Sequence, residues 1–112
     1  MNVEELKAIV AERIRIGDET QDEWDYGIEQ CWKKEIEILS RDMTATINFI
    51  ENECDDKTFC WIGEVFDDVA ERTQSKDFLA AITKRAAKVV DPEERRSVEI
   101  DIRYASYKFD DD

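Results

Sequence analysis

Glu64, Asp67, Asp68 and Glu71 are four carboxylates at spacings of three and four residues, the interval that stacks side chains on one face of a helix. Two kinds of chemistry are open to such a set. Carboxylates that converge on a point can hold a magnesium ion. Carboxylates spread over a surface create a field that attracts a basic partner. The rest of the composition favours the second. The chain has no histidine, which removes imidazole bases and His metal ligands. It also lacks GxSxG, P-loop, Rossmann and HExxH patterns, so most reaction classes lack their usual parts. Cys31, Cys54 and Cys60 form an odd set without a CxxC pair, which reads as reduced thiols with neither a disulfide framework nor a zinc site. Against 16 basic side chains stand 29 acidic ones, a net charge of −13. That balance argues against binding a phosphate backbone or an anionic membrane. The expectation is a non-enzymatic domain with no cofactor and no metal, which binds something basic.

The elements that must carry these residues read as helices. At 112 residues with 42% hydrophobic content the chain is one domain's worth with a real core. Three Gly and one Pro leave little room for hairpins. Val3, Leu6, Ile9, Val10 and Ile14 repeat at helical spacing behind Asn2 and Glu5, and Gly17-Asp18-Glu19 is read as their stop. Thr20-Gln21-Asp22-Glu23 fits a capping box for a second helix to about Leu39, with Trp24, Ile28, Cys31, Trp32 and Leu39 inward. Met43, Ile47, Ile50 and Cys54 mark a third. Asp55 or Asp56 caps a fourth, with Phe59, Ile62, Phe66 and Val69 inward. Ser75 caps a fifth carrying Phe78, Ile82, Ala86 and Val89. Asp91-Pro92-Glu93-Glu94 is a strong helix start. Beyond it the alternation of Val98, Ile100, Ile102 and Tyr104 fits a strand, while Val98, Ile102, Ala105 and Phe109 fit a helix; the start signal decides for helix. The predicted fold is a compact all-α bundle of five to six amphipathic helices, mostly antiparallel neighbours, over residues 1–109, with an acidic tail at 110–112.

The charge is uneven. Residues 1–75 hold 8 basic and 20 acidic side chains, net −12, whereas residues 76–108 hold 8 and 6, net +2. On a continuous fourth helix the four carboxylates would share an arc of about 100° opposite the apolar stripe, with Trp61 and Cys60 at its edges. Repulsion at these spacings costs a few tenths of a kcal/mol per pair, and an indole ringed by charge is the composition of an interface anchor. The second helix repeats the arrangement with Asp22, Asp25, Glu29 and Tyr26. If the two outer faces adjoin, they form one acidic surface with Tyr26 and Trp61 as contact anchors. A solvated helix face and a half-packed tyrosine are the plainer readings of the same residues. Glu35 is a separate oddity. It falls inside the apolar stripe of the second helix, where a carboxylate needs a partner, and Arg85 is the expected one. Carboxylates near Cys60 should raise its pKa and blunt its reactivity.

Two family resemblances bear on function. Glu64-x-x-Asp67 with Asp68-x-x-Glu71 resembles the ExxD element of all-α nucleoside triphosphate pyrophosphohydrolases, but the preceding ExxE-type helix that would complete a magnesium site is absent. Trp61-Ile-Gly-Glu64-Val-Phe66-Asp67-Asp68-Val69, followed by Thr73-Gln74-Ser75 and Phe78, resembles small bacterial immunity proteins of contact-dependent growth inhibition and related polymorphic toxin systems. Trp32, Glu35, Leu39-Ser40, Thr46-Ile47 and Phe49 extend that likeness over roughly residues 24–105. The resemblance implies a cytoplasmic, mainly helical protein that binds and inactivates one cognate toxin domain, often a nuclease. It transfers no catalytic or contact residues. The alternative reading is an acidic helical adaptor or nucleic-acid mimic. The N-terminus has no basic start followed by an apolar run, so no signal peptide is expected, and no apolar stretch reaches the ~18 residues of a membrane helix.

Overall fold

A computed structural model describes residues 1–21, 23 and 25–110. Every regular element among them is helical: α1 Val3–Thr20, α2 Asp25–Arg41, α3 Met43–Asn52, α4 Asp56–Ile62, α5 Phe66–Thr73, α6 Lys76–Ala86 and α7 Pro92–Ser106. Between α4 and α5 lies a 3-10 turn, Gly63–Val65. The bundle is all-α, as its periodicity requires, and the segment around residue 100 is helix rather than strand.

Side chains with free oxygens start the helices by satisfying N–H groups that have no partner within the first turn. Asn2 accepts from the Glu5 N–H at 3.0 Å, Asp55 from Thr58 at 2.7 Å, Ser75 from Phe78 at 3.1 Å and Asp91 from Glu94 at 2.8 Å. Asp42 does the same for α3. Inward positions then build a main core and a smaller cluster of Ile16, Ile28 and Cys31. Phe59 and Phe66 meet at a ring separation of 5.4 Å, and Phe66 meets Phe78 edge-on at 5.8 Å. Leu6, Leu39, Phe49, Ile50, Ile62 and Ile82 close around them, all without solvent exposure or nearly so. Cys31 and Cys54 are buried and unpaired, as their inward positions predict.

Two boundaries differ from the expectation. Gly17-Asp18-Glu19 does not stop α1, which continues to Thr20. Arg15 bridges Glu12 and Glu19 across the supposed break, and the Thr20 hydroxyl donates to the Ile16 carbonyl at 2.6 Å. The helix ends at Gln21, whose φ of 54° puts it in the left-handed region that closes a helix. Thr20 is therefore inside α1 and is not the cap of α2; Asp22 and Trp24 lie outside the described residues. At the other end, Gln74 takes the same left-handed conformation after α5. Its side chain donates to the Lys108 carbonyl and accepts from the Asp110 N–H, both at 2.9 Å, which ties the start of the acidic tail to the bundle.

The second difference matters more. The fourth helix is not continuous. At Gly63 the chain passes so close to α7 that a Cβ there would sit 2.7 Å from Asp101 Oδ2 and 3.3 Å from Val98 Cγ2. Each 3-10 residue advances about 20° further than an α-helical one, so the turn re-aims Glu64 relative to the carboxylates of α5. Substituting Gly63→Ala should lower stability by about 1–2 kcal/mol through overpacking. Most of that loss should disappear in an Asp101→Ala background, and equal losses in both backgrounds by urea unfolding would show that the Asp101 contact is not the cause.

Candidate functional site

The structure divides the carboxylates expected to share one outer face. Glu64 is turned toward α1 and α2. Its Oε1 accepts from Arg13 Nε at 3.0 Å and from the Trp32 indole N–H at 3.2 Å, and its Oε2 accepts from Arg13 Nη2 at 2.8 Å. The guanidinium of Arg13 also lies over the Trp61 ring, 5.2 Å from its centroid. Only 8% of the Arg13 side chain and 26% of the Glu64 side chain remain exposed. Planar, two-pronged pairing of this kind is what a guanidinium is built for.

Asp67, Asp68 and Glu71 stay on α5. Asp67 is half-buried, and its Oδ1 accepts from the Asp68 N–H at 2.9 Å. Asp68 is exposed, and its pKa is raised by desolvation first and then by the charges of Asp67 and Glu71. Glu71 is exposed and meets Lys108 at 3.5 Å. On α2, Asp25, Tyr26 and Glu29 are exposed, Tyr26 by 65%. They do not line the groove that Trp61 lines, so the structure does not bring the two expected anchors together in one pocket. Asp22 lies outside the described residues.

That groove, of about 480 Å³, runs between α4 and α7 and is lined by Lys57, Cys60, Trp61, Glu64, Glu94, Ser97 and Asp101. Three carboxylates and one ammonium make it acidic. Asp101 is pushed up to about 6, first by burial, then by the charges of Glu64 and Asp67. Cys60 is pushed up to about 11; burial is the larger cause, and the carboxylates of Glu94 and Asp56 add to it. A cation entering here would meet carboxylates that repel one another, beside an indole whose one face is already stacked by Arg13.

Glu35 corrects a second expectation. Arg85 does not reach it; that guanidinium bonds Asp56 Oδ1 at 2.7 Å and the Cys54 carbonyl at 2.8 Å, and lies over the Phe59 ring. Glu35 is fully buried, and neither of its oxygens has a hydrogen-bond partner. Burial pushes its pKa up to about 8, with the charge of Glu64 adding to the rise and Arg13 opposing it. Arg13 and Asp101 are not singled out by the sequence, Trp32 only as an inward residue and part of the family likeness, and Glu94 only as part of a helix start. Arg13 carried a usable signal: it falls on the inward stripe of α1 between Val10 and Ile16, the same anomaly that Glu35 presents on α2 with the opposite charge.

Among the described residues, no group of three or more Cys, Asp or Glu side chains is placed to hold a metal ion. Glu64, the head of the ExxD pair, is taken up by Arg13 and Trp32. Comparison with family models, with curated proteins and with solved structures found no match for the chain.

The burial of Glu35 carries a pH signature. Unfolded, its carboxyl ionises near the ordinary 4.5; folded, it keeps its proton to about 8. Between those limits the unfolded state binds fewer protons, so stability falls as pH rises, by about 1.4 kcal/mol per pH unit from this group. The loss is absent in acid and levels off above the folded value. Glu35→Gln should remove it. The stability of the variant relative to the parent should therefore improve by about 3 kcal/mol between pH 5 and pH 7.5 in urea titrations. A pH-independent difference would mean that Glu35 is not held neutral.

Proposed function

We propose that the chain is a stoichiometric inhibitor of the immunity-protein kind: it binds a basic toxin domain, most simply a nuclease, and blocks it by occlusion without turnover. The observation that carries this reading is the acidic groove between α4 and α7 with Trp61 in its wall, continued outward by Asp67, Asp68 and Glu71. A nuclease presents a basic groove to its substrate, and a rigid surface of opposite sign can cover it and be steered onto it. The raised pKa values of Asp68 and Asp101 support the reading, because part of each rise comes from neighbouring carboxylates whose repulsion a partner's cations would relieve. In this proposal Asp67, Asp68 and Glu71 supply the long-range field, Trp61 is the contact anchor in the groove, and Asp25, Tyr26 and Glu29 form a separate outlying patch. Glu64 acts mainly by orienting Arg13 and Trp61. No helix among the described residues is long and apolar enough to cross a membrane.

The test is association with the toxin domain encoded beside the gene, followed by stopped flow from about 50 mM to about 500 mM salt. Screening shortens from more than 10 Å to a few Å over that range, so the association rate should fall at least about tenfold. Reversing Asp67 and Asp68 to Lys should abolish protection in cells while leaving the helical circular dichroism intact. A salt-independent rate, or full protection by the double variant, would place the interface elsewhere. A partner that is not a toxin would favour the adaptor reading.

A further inference from the structure

A second groove, of about 420 Å³, lies between α2 and α5 and has the opposite sign. It is lined by Lys33, Ile36, Glu37, Arg41 and Arg72, three cations against one carboxylate. Residues 1–75 carry only 8 basic side chains against 20 acidic ones, and three of those basic side chains meet here. Lys33, Glu37 and Arg41 stand at four-residue intervals along one stripe of α2. Arg72 comes to the same groove from the last turn of α5. Helix dipoles account for Arg41 and Arg72, each in the last turn of its helix. They do not account for Lys33, which lies about two turns before the end of α2. Glu37 answers one of the three cations, accepting from Arg41 Nη2 at 2.9 Å. Among the described residues, Lys33 and Arg72 are exposed and enter no ion pair.

We propose that this groove binds a short, extended acidic segment of a protein partner, with one carboxylate at Lys33 and a second between Arg41 and Arg72. The spacing sets the motif. Lys33 and Arg41 are eight helical residues apart, about 12 Å along α2. In an extended peptide, residues i and i+4 point the same way and lie about 13 Å apart. Two acids separated by three residues therefore match the two ends of the groove. Residue i+2 falls on the same side, over Ile36 and Glu37, where an apolar side chain is accepted and a third carboxylate is repelled. The forked guanidinium of Arg72 suits a planar carboxylate. A nucleic-acid backbone fits less well, because a continuous polyanion would also cross the surrounding residues 1–75, whose net charge is −12. This site goes beyond the toxin reading, since its sign is opposite. Its consequence for a basic partner is selectivity. Arg72 follows directly on Glu71, so a partner drawn to α5 brings its surface against three cations. A partner with an acidic segment at that place turns the repulsion into a contact, and others do not. That consequence rests on the acidic-groove reading; binding of the segment itself does not.

The probe is the end-capped peptide Glu-Ala-Leu-Ala-Glu, too short to hold a helix in water, titrated into nitrogen-15-labelled protein at low salt. The side-chain N–H signals of Arg41 and Arg72 should shift together with the signals of Lys33. Lys33→Ala and Arg72→Ala, both at exposed positions, should each weaken binding about two- to fivefold, the range of an exposed ion pair. Glu37→Gln should strengthen it, because the substitution frees Arg41 and removes the like charge. The isomer Glu-Glu-Ala-Leu-Ala, with the same charge at the wrong spacing, should bind at least about twofold more weakly. Circular dichroism checks that each variant keeps its helices. No shift at these residues up to about 10 mM peptide, shifts centred elsewhere, or undiminished binding by both alanine variants overturns the site. Equal affinity for the two isomers overturns the two-ended seating. None of these measurements involves the toxin domain, so their failure leaves the acidic-groove reading standing, and a salt-independent toxin association leaves this site standing.

Discussion

The pair between Arg13 and Glu64 is the contact on which the arrangement of this molecule turns. It joins residues 51 positions apart in the chain and reaches from the first helix to the turn between α4 and α5. Such a pair is not automatically stabilising, because desolvating two charges offsets much of their attraction. Its more secure consequence is geometric. Two parallel hydrogen bonds, an indole N–H on the same carboxylate and an aromatic ring under the guanidinium admit one arrangement of α1, α2 and the 3-10 turn. Losing Arg13 would leave the largely buried Glu64 carboxylate with only the Trp32 N–H, which is far more costly than never having built the pair.

The 3-10 turn makes that pair possible, and α7 makes the turn necessary. Gly63 allows the backbone to approach Asp101 and Val98 at a distance no side chain would permit. Tightening of the helix at that point sends Glu64 inward and leaves Asp67, Asp68 and Glu71 on the far side of the phase shift. A single close helix crossing therefore sorts one run of carboxylates into an internal ligand for Arg13 and an external acidic face. The groove lined by Trp61 and Asp101 is the remaining space beside that crossing.

Much of the bundle was legible in the sequence because its signals are local. Asn2, Asp55, Ser75 and Asp91 are caps whose function needs only the next three residues, and the Phe59, Phe66 and Phe78 core follows from helical spacing. Gly17 misled because a glycine weakens a helix by only about 1 kcal/mol, and the Arg15 bridges with the Thr20 hydroxyl hold the helix together across it. That Arg85 does not meet Glu35 was not legible for a different reason. Arg85 sits near an apolar stripe, but whether it reaches Glu35 depends on which helices cross, a tertiary fact that neither stripe contains. The break at Gly63 belongs to the same class, since its cause lies 38 residues downstream at Asp101.

These placements also change what the formal charge of −13 means. Glu64 is neutralised from within by Arg13, and Glu35 carries a proton at neutral pH, so two of the carboxylates add little to the field outside. Glu71 is moderated by Lys108. What a partner would feel near the groove comes mostly from Asp67, Asp68, Glu94 and Asp101; burial raises the pKa of Asp68 and of Asp101, and neighbouring carboxylates add to each rise. Part of the cost of ionising Asp68 and Asp101 is therefore repulsion from their neighbours, which an arriving cation relieves. The acidity of this chain is thus less a uniform net charge than a local set of carboxylates beside a buried ion pair, whose mutual repulsion a basic partner would relieve.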